Sequence, residues 1–471
     1  MMLVGNKGQA VPGSENALKG LAEGVIADLV RVGLVTAGAG ASRLETFKYE
    51  EALNLFSPLL THFDVRLRPM SRPGCPVWFC TGILKMSEST AAARGAMGRG
   101  IPAGGQGMRR ADAAISCLGE MAERVSLCSL GPEDPRTVSR WVEQPEVDLA
   151  GLLGLSATQE MAAACGASVS AREGPVSDPG SSASSAGYVP LRSLITGQVS
   201  QLPSFGVLFQ GAEQTVGPLS GLASSTGCAV WPSLEGARER ALLELAERDA
   251  VAQMWYNRLG INRIVKTHLQ KLLPSELYIF LNEQSRGWGV YVLETDLAVQ
   301  VAMAVSFDPG GRGCAFGSSA GWDLPSACTS AIEEMLQSEN SLALMDRAYP
   351  DKGTATDGRS QEPRQLAYAR HSSILDDLPL KTAPTARDSF LTDTYSYADL
   401  LQSCADAHIE IWEFDATRPD LGIPCIKLLS PDLCAWEPRF GRRRLFQGVV
   451  DRGLRASPAS EQDFAARPFP F

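Results

Sequence analysis

The sequence predicts a mixed protein of the α/β or α+β class, and three observations predict it. Windows at 116–124, 240–248 and 330–338 are dense in Ala, Leu, Met and Glu, which are strong helix formers. Each window follows a stretch rich in glycine and small residues. Between these units lie short apolar runs of strand length. Loop–helix units alternating with strands specify layers of helix on sheet.

The elements follow in order. Residues 14–33 read as an amphipathic helix, with Leu18, Leu21, Val25, Ile26, Leu29 and Val30 at helical spacing, ended by a Gly-rich stretch at 37–41. Val77, Trp78, Phe79 and Ile83 mark a strand within 76–84. Gly98, Gly100, Gly104, Gly105 and Gly107 read as a loop into the first helix window. Residues 166–187, dominated by Gly, Ala and Ser with Pro175 and Pro179, read as a flexible insertion between two halves. The small-residue loop 221–227 precedes the second window. Strands are expected at 289–293 and 299–306, and the loop Gly310 to Ser319 feeds the third window. Residues 350–366 are polar and expected to be exposed, and a last strand pair is expected near 409–414 and 425–429.

Composition narrows the function classes. A chain of 471 residues can bury one large core or two. A net charge of −10 argues against a general nucleic-acid binder. No apolar run reaches the roughly 18 residues of a membrane span, and Met1 to Glu15 lacks the pattern of a signal peptide. The eleven cysteines are scattered singly, with no zinc or redox spacing even at Cys75 and Cys80, so reduced thiols and a cytoplasmic location are expected. His62, His268, His371 and His408 are too dispersed for a histidine metal site.

The helix windows carry the chemistry. Each places polar groups at i, i+4 and i+7: Ser116, Glu120 and Glu123; Arg240, Glu244 and Glu247; Ser330, Glu334 and Gln337. That spacing makes one stripe on a helix face whose neighbours are apolar. Taken singly, such a stripe is an amphipathic helix with a solvated acidic face. Taken together, converging stripes would set Glu120, Glu123, Glu244, Glu247 and Glu334 around one cleft. Hard cations such as Mg²⁺, which takes oxygen ligands, would make that tolerable, and the anion carried would most simply be a nucleoside triphosphate. No P-loop, kinase, nucleophile-elbow or HExxH motif is present. Arg124 and Arg248 directly follow the acidic pairs; each could fork onto a phosphate or pair with a glutamate of its own helix.

These residues resemble the YcaO superfamily. Gly105-Gln106-Gly107 with Ala113, Ser116, Glu120, Glu123 and Arg124 is similar to its pattern GKG(x5)Ax2Sx3Ex2ER. Ser225 to Asp249 resembles SNGxAxGxxxxEAxxxxLxExxERDA; Ala327, Ala331, Glu334 and Gln337 resemble AxxxAxxExxQ. Asp415, Thr417, Pro419, Asp420, Gly422, Ile423 and Pro424 resemble DxTxPDxGIP, and Arg439, Phe440, Gly441 and Arg443 the closing FGxxR run. The resemblance spans about 60–450 and implies a YcaO-type fold, with acidic active-site helices packed on mixed β-sheets. It implies an ATP- and Mg²⁺-dependent enzyme that activates a peptide amide by phosphorylating its oxygen. Glu120, Glu123, Glu244 and Glu247 would then bind metal, and Ser116, Arg124, Ser225, Arg248, Glu334 and Gln337 the nucleotide.

The ending Ala466-Arg467-Pro468-Phe469-Pro470-Phe471 resembles the proline-rich tail of azoline-forming members, as does Trp255-Tyr256-Asn257. By that resemblance Pro468, Pro470 and Phe471 belong at the catalytic centre, with the terminal carboxylate a candidate base; a frayed terminus is the plainer alternative. Gln106 replaces the family Lys, Trp231 and Pro232 stand where the family has Gly-Asn, and Gly236 stands where it has Glu.

The expected organisation is an N-terminal helical segment at 1–60, a catalytic domain at 61–464 and the tail at 465–471. The implied reaction is cyclodehydration of Cys, Ser or Thr in a ribosomally made precursor peptide to thiazoline or oxazoline. The implied partners are that peptide, a separate activating-enzyme-like leader-binding subunit and a flavin dehydrogenase subunit, with a homodimer inside a larger complex. Thioamide or amidine formation, and a non-catalytic scaffold, remain alternatives; the changes at Pro232 and Gly236 favour the scaffold.

Overall fold

The computed structural model describes residues 20–35, 47–85, 100–143, 145–164, 187–209, 222–259, 261–349, 363–378 and 392–471. The elements that position the site run in chain order as follows. Helices α1 (Glu23–Arg31) and α2 (Phe47–His62) precede strands β1 (Asp64–Met70), β2 (Trp78–Lys85) and β3 (Ile101–Gly107), then α3 (Arg110–Ser126). Next come β4 (Tyr188–Ser193), β5 (Val199–Pro203), β6 (Cys228–Val230) and α4 (Leu234–Asn257). They are followed by β7 (Ile261–Arg263), β8 (Gly287–Leu293), β9 (Gln300–Phe307), β10 (Ala315–Gly321) and α5 (Leu324–Ala348). Helices α6 (Arg364–His371) and α7 (Tyr397–Asp406) and strands β11 (Trp412–Asp415) and β12 (Cys425–Leu429) complete the set.

The chain divides into two compact units that interleave in sequence: 1–73 with 77–242 and 410–431, and 74–76 with 243–409 and 432–471. The boundary falls inside α4. The Gly/Ala/Ser-rich stretch lies outside the described residues except for Gly187, as do the Gly-rich 37–41 and residues 350–362.

The first unit holds two antiparallel sheets, ordered β1-β2-β3 and β5-β4-β11-β12-β6. In β1 the alternation is plain: Val65 and Leu67 are buried while Arg66 and Arg68 face out. Helix α3 buries Ala114, Cys117, Leu118, Met121 and Val125 against the β1-β2-β3 sheet. The segment expected to be a loop before α3 is in fact the strand β3. Glycine is poor at holding a strand by itself, but it lets another backbone come close. A Cβ at Gly105 would overlap the carbonyl of Ala113 and the amide of Cys117. Pairing with β2 and the weight of α3 therefore outweigh the local preference.

The second unit holds one antiparallel sheet, ordered β10-β9-β8-β7. Strands β8 and β9 are buried almost throughout, as their unbroken apolar runs require. The second half of the expected loop Gly310 to Ser319 is again a strand, β10, built of small residues under α5. A Cβ at Gly317 would overlap the carbonyl of Ala331 and the amide of Met335. Asp323 caps α5 by accepting the Ser326 N–H at 2.8 Å, and Pro325 lies in its first turn. The strand pair near 409–429 forms as expected, antiparallel from Trp412 opposite Leu429 to Asp415 opposite Ile426. All the named strand pairs are antiparallel, so the α+β form of the expectation is the one observed. Among the described residues no helix is long and apolar enough to cross a membrane.

Candidate active site

In the first unit the acidic stripe lies on α3. Glu120 accepts the backbone N–H of Gly104 at 2.7 Å, so helix and strand are pinned at the acid. Arg124, one turn on, pairs with Glu120 and donates to the carbonyl of Pro102 at 2.5 Å. Glu123 accepts the N–H of Val230 at 3.2 Å. Ser116 is half-buried on the same face, and Ser225 is exposed in the turn before β6. Lys427 is buried and donates to the carbonyls of Ser224 and Thr226, which fixes that turn.

In the second unit the acids are more crowded. Arg248 donates to Glu247 at 2.8 Å and to Glu244 at 3.1 Å. Glu247 also accepts the hydroxyl of Ser318 at 2.6 Å and the N–H of Ala320 at 3.3 Å. Glu334 accepts the N–H of Ser318 at 2.8 Å. Two carboxylates thus share one guanidinium, with Glu334 in its field. Burial and the neighbouring Glu247 push the Glu334 carboxyl up to about 7. Burial works against the charge of Arg248, yet Glu247, Glu244 and Glu334 together raise its pKa.

The sequence reading left each arginine two roles, and the structure places both against their own helix acids. Their forks brace the carboxylates. Arg248 is further flattened on the Trp436 ring, 3.5 Å from its centroid.

The tail is docked. Phe469 is 2% exposed and Pro470 is buried. The Phe471 ring stacks on Phe316 at 4.9 Å, and Phe469 packs against Trp436 at 4.8 Å and Trp255 at 5.5 Å. The Tyr256 hydroxyl accepts the Phe469 N–H at 3.3 Å, Arg364 donates to the Phe469 carbonyl at 3.2 Å and Trp255 to that of Arg467 at 3.1 Å. Pro468 is half-buried beside them. Within this unit a continuous line of contact runs from Phe469 through Trp436 to Arg248 and its two acids.

Sequence reasoning missed several members. Trp436, Phe316 and Tyr368, which build the tail's seat, belong to no repeated pattern. Asp249 is wholly buried and is held by Arg444 at 2.8 Å and by the N–H of Cys434 at 2.9 Å. Its signal was present, since it is the acid after Arg248 in the ERDA run and Arg444 ends an arginine run, but nothing in the spacing pairs them.

A divalent cation fits this donor set. The acids of the second unit outnumber their cation, and Gln337 Oε1, one turn beyond Glu334, is buried with no hydrogen-bond partner among the described residues. Among the described residues no three His, Cys, Asp or Glu side chains form a ready metal cage. Mg²⁺ does not need one, because it is commonly held by one or two carboxylates together with phosphate oxygens and water.

Antiparallel sheets carrying acid-bearing helices, with arginines bracing the acids, define a class of metal-nucleotide site built without a P-loop. The chain belongs to the YcaO family: its profile, described as YcaO cyclodehydratase, ATP- and Mg²⁺-binding, matches residues 104–434. No curated protein matches the sequence significantly. Among solved structures the chain is similar to a heterocyclase in complex with substrate and cofactor, at 22% identity and a TM-score of 0.65, covering 89% of this chain and 57% of that one. It is also similar to the heterocyclase TruD, at 24% identity and a TM-score of 0.55, covering 78% and 51%. A third likeness is to the E. coli microcin synthetase McbBCD complex with pro-MccB17 bound, at 14% identity and a TM-score of 0.52, covering 78% and 88%. The chain spans little more than half the length of the two heterocyclases. These likenesses show that the fold is the YcaO heterocyclase fold.

Proposed function

We propose that this protein is an ATP-dependent cyclodehydratase that converts Cys, Ser or Thr of a ribosomally made precursor peptide to thiazoline or oxazoline. The observation that carries the reading is the cation-poor acid cluster of Glu244, Glu247 and Glu334 around Arg248, in a chain of a family described as ATP- and Mg²⁺-binding. Glu120, Glu123, Glu244 and Glu247 donate oxygens to Mg²⁺, and Ser116, Ser225, Glu334 and Gln337 hold the nucleotide. Arg124 and Arg248 keep the acids in place. Bound Mg·ATP supplies the phosphoryl group that makes an amide oxygen a competent leaving group.

The peptide's thiol or hydroxyl adds to the preceding carbonyl carbon, and the oxygen leaves as phosphate. The docked tail, Pro468 to Phe471, stiffens this centre through Trp436. Two prolines limit the entropy lost when an extended segment docks. The similar structures include a heterocyclase with substrate and cofactor and a synthetase complex with its precursor bound, which supports a precursor peptide and companion subunits here: a leader-binding subunit and a flavin dehydrogenase, with the chain itself paired in the assembly.

The test is a reaction of the chain, its companion subunit, the peptide and Mg·ATP. Each ring formed removes one water from the peptide and yields one phosphate. With ¹⁸O in the peptide amide, the label should appear in that phosphate. Rings formed without ATP turnover, or label retained in the peptide, would overturn the reading.

A further inference from the structure

Most arginines around the first unit's acids are already engaged. Arg124 is taken by Glu120 and the Pro102 carbonyl, and Arg238 by Glu413. Arg240 differs. It is half-buried at the start of the second stripe, and among the described residues it makes no hydrogen bond or ion pair. Its guanidinium carbon lies over the Trp231 ring, 3.7 Å from the centroid.

The stack has a specific cause. A Cβ at position 236 would overlap the Trp231 indole, so Gly236 is what admits the ring at that place. The ring then holds the guanidinium against it by a cation–π contact, while its N–H donors, unpaired among the described residues, are left for a forked contact. Burial lowers the pKa of Arg240; Glu239 and Glu123 act the other way. A partly desolvated cation whose donors meet no acceptor among the described residues is costly unless a ligand supplies acceptors. Glu123 lies within electrostatic reach, and its carboxylate is anchored at the Val230 N–H. A carboxylate and a forked cation side by side suit an anion that arrives with its own divalent metal.

We propose that Arg240, held by Trp231, is a phosphate-binding residue of the first unit and takes oxygens of a metal-bound nucleoside triphosphate. The assignment rests on the ATP-dependent reading above. It gives the first unit a phosphate-facing guanidinium that, unlike Arg124, makes no ion pair among the described residues.

The test is calorimetric binding of Mg²⁺ with the β,γ-methylene analogue of ATP to the full chain, with thermal unfolding of each variant as control. Arg240→Met keeps an apolar stem of similar length on Trp231 and removes the fork. It should weaken the analogue by about 10- to 100-fold, the value of one charge-assisted contact, with an unchanged Tm. Arg240→Lys keeps the charge without the fork and should recover only part of the loss. Gly236→Ala, which displaces Trp231, should weaken binding while leaving Arg240 in place. If Arg240→Met binds the analogue as tightly as the parent chain, the inference is overturned and the ATP-dependent reading stands. If the parent chain itself binds no triphosphate, both are overturned.

Discussion

The two units solve one problem with the same strand-to-helix device and then diverge. In each, the last strand of an antiparallel sheet turns within a few residues into a long helix that packs back on it. In each, a helix glutamate accepts a strand N–H from the residue 16 positions earlier: Gly104 to Glu120 and Ser318 to Glu334. In each, a strand glycine lets the helix backbone approach. The difference is charge. Glu120 has Arg124 one turn later, whereas the matching residue after Glu334 is Ser338, and Glu334 faces Glu247 and Glu244 instead. The first unit balances its acid locally. The second leaves an excess of negative charge, which the cation of a metal-nucleotide would offset. Identical backbone devices therefore carry different electrostatic duties.

The sharpest way to break that contrast is Glu247→Gln. This carboxylate holds Arg248, Ser318 and Ala320 together and is a proposed metal ligand. The substitution keeps shape and most hydrogen-bonding capacity but removes the charge. ATP turnover should fall by about 100-fold or more, the scale of removing a group that stabilises transferring charge, while the fold survives. Full ATP turnover in a correctly folded Glu247→Gln chain would make the acid excess a structural accident.

Second in size is loss of the tail. Deleting Pro468 to Phe471 removes a nearly fully buried Phe469 and the stacked Phe471. Emptying one large aromatic site costs about 3–5 kcal/mol, so Tm should drop by several degrees. Because Trp436 links Phe469 to Arg248, ring formation should fall about 10-fold further than peptide binding does, measured at a temperature where the truncated chain is folded. Equal losses in binding and rate would reduce the tail to a structural clasp.

Arg248→Lys comes third. A lysine keeps one charge near Glu244 and Glu247 but cannot fork onto both or lie flat on Trp436. Turnover should fall about 10-fold. The same change at Arg124, whose pair with Glu120 is about one-third exposed on each side, should lower turnover by much less, because a lysine can still pair with Glu120 in that screened position. Equal effects at the two arginines would erase the asymmetry between the units.

Much of this was legible in the sequence for a physical reason. The i, i+4, i+7 stripes are a local property of a helix, so Glu120, Glu123, Glu244 and Glu247 could be read off directly. The apolar runs that become β8, β9 and β12 are buried on both faces and carry their own signal. Strands β3 and β10 did not, because glycine and small residues there serve the neighbouring helix rather than the strand. The tail's seat was hidden for a related reason. Phe316, Tyr368 and Trp436 come from distant segments, and only folding makes them neighbours. The departures at Trp231 and Gly236 read as separate losses in sequence; in three dimensions they are one arrangement, a ring occupying the space a side chain would need.

The smallest expected effect tests the charge excess most directly. Glu334 in the metal-free protein holds its proton up to about pH 7, whereas an unfolded glutamate releases it near 4.5. The folded state therefore binds more protons than the unfolded state between those values. By linkage, this group's contribution to stability is fully present below about 4.5 and is lost as pH rises through about 7. Metal-free Tm should accordingly carry a component that declines from pH 5 to pH 8, and Glu334→Gln should remove that component. Adding Mg²⁺ with the β,γ-methylene analogue of ATP should reverse the decline, since a cation next to Glu247 and Glu244 favours the ionised form. The ligand-induced rise in Tm should be larger at pH 8 than at pH 6 by a degree or two, the effect of ~1 kcal/mol in a chain this long. A Glu334→Gln chain whose pH profile overlays the parent's would show that Glu334 ionises freely, and that the second unit is no more cation-starved than the first.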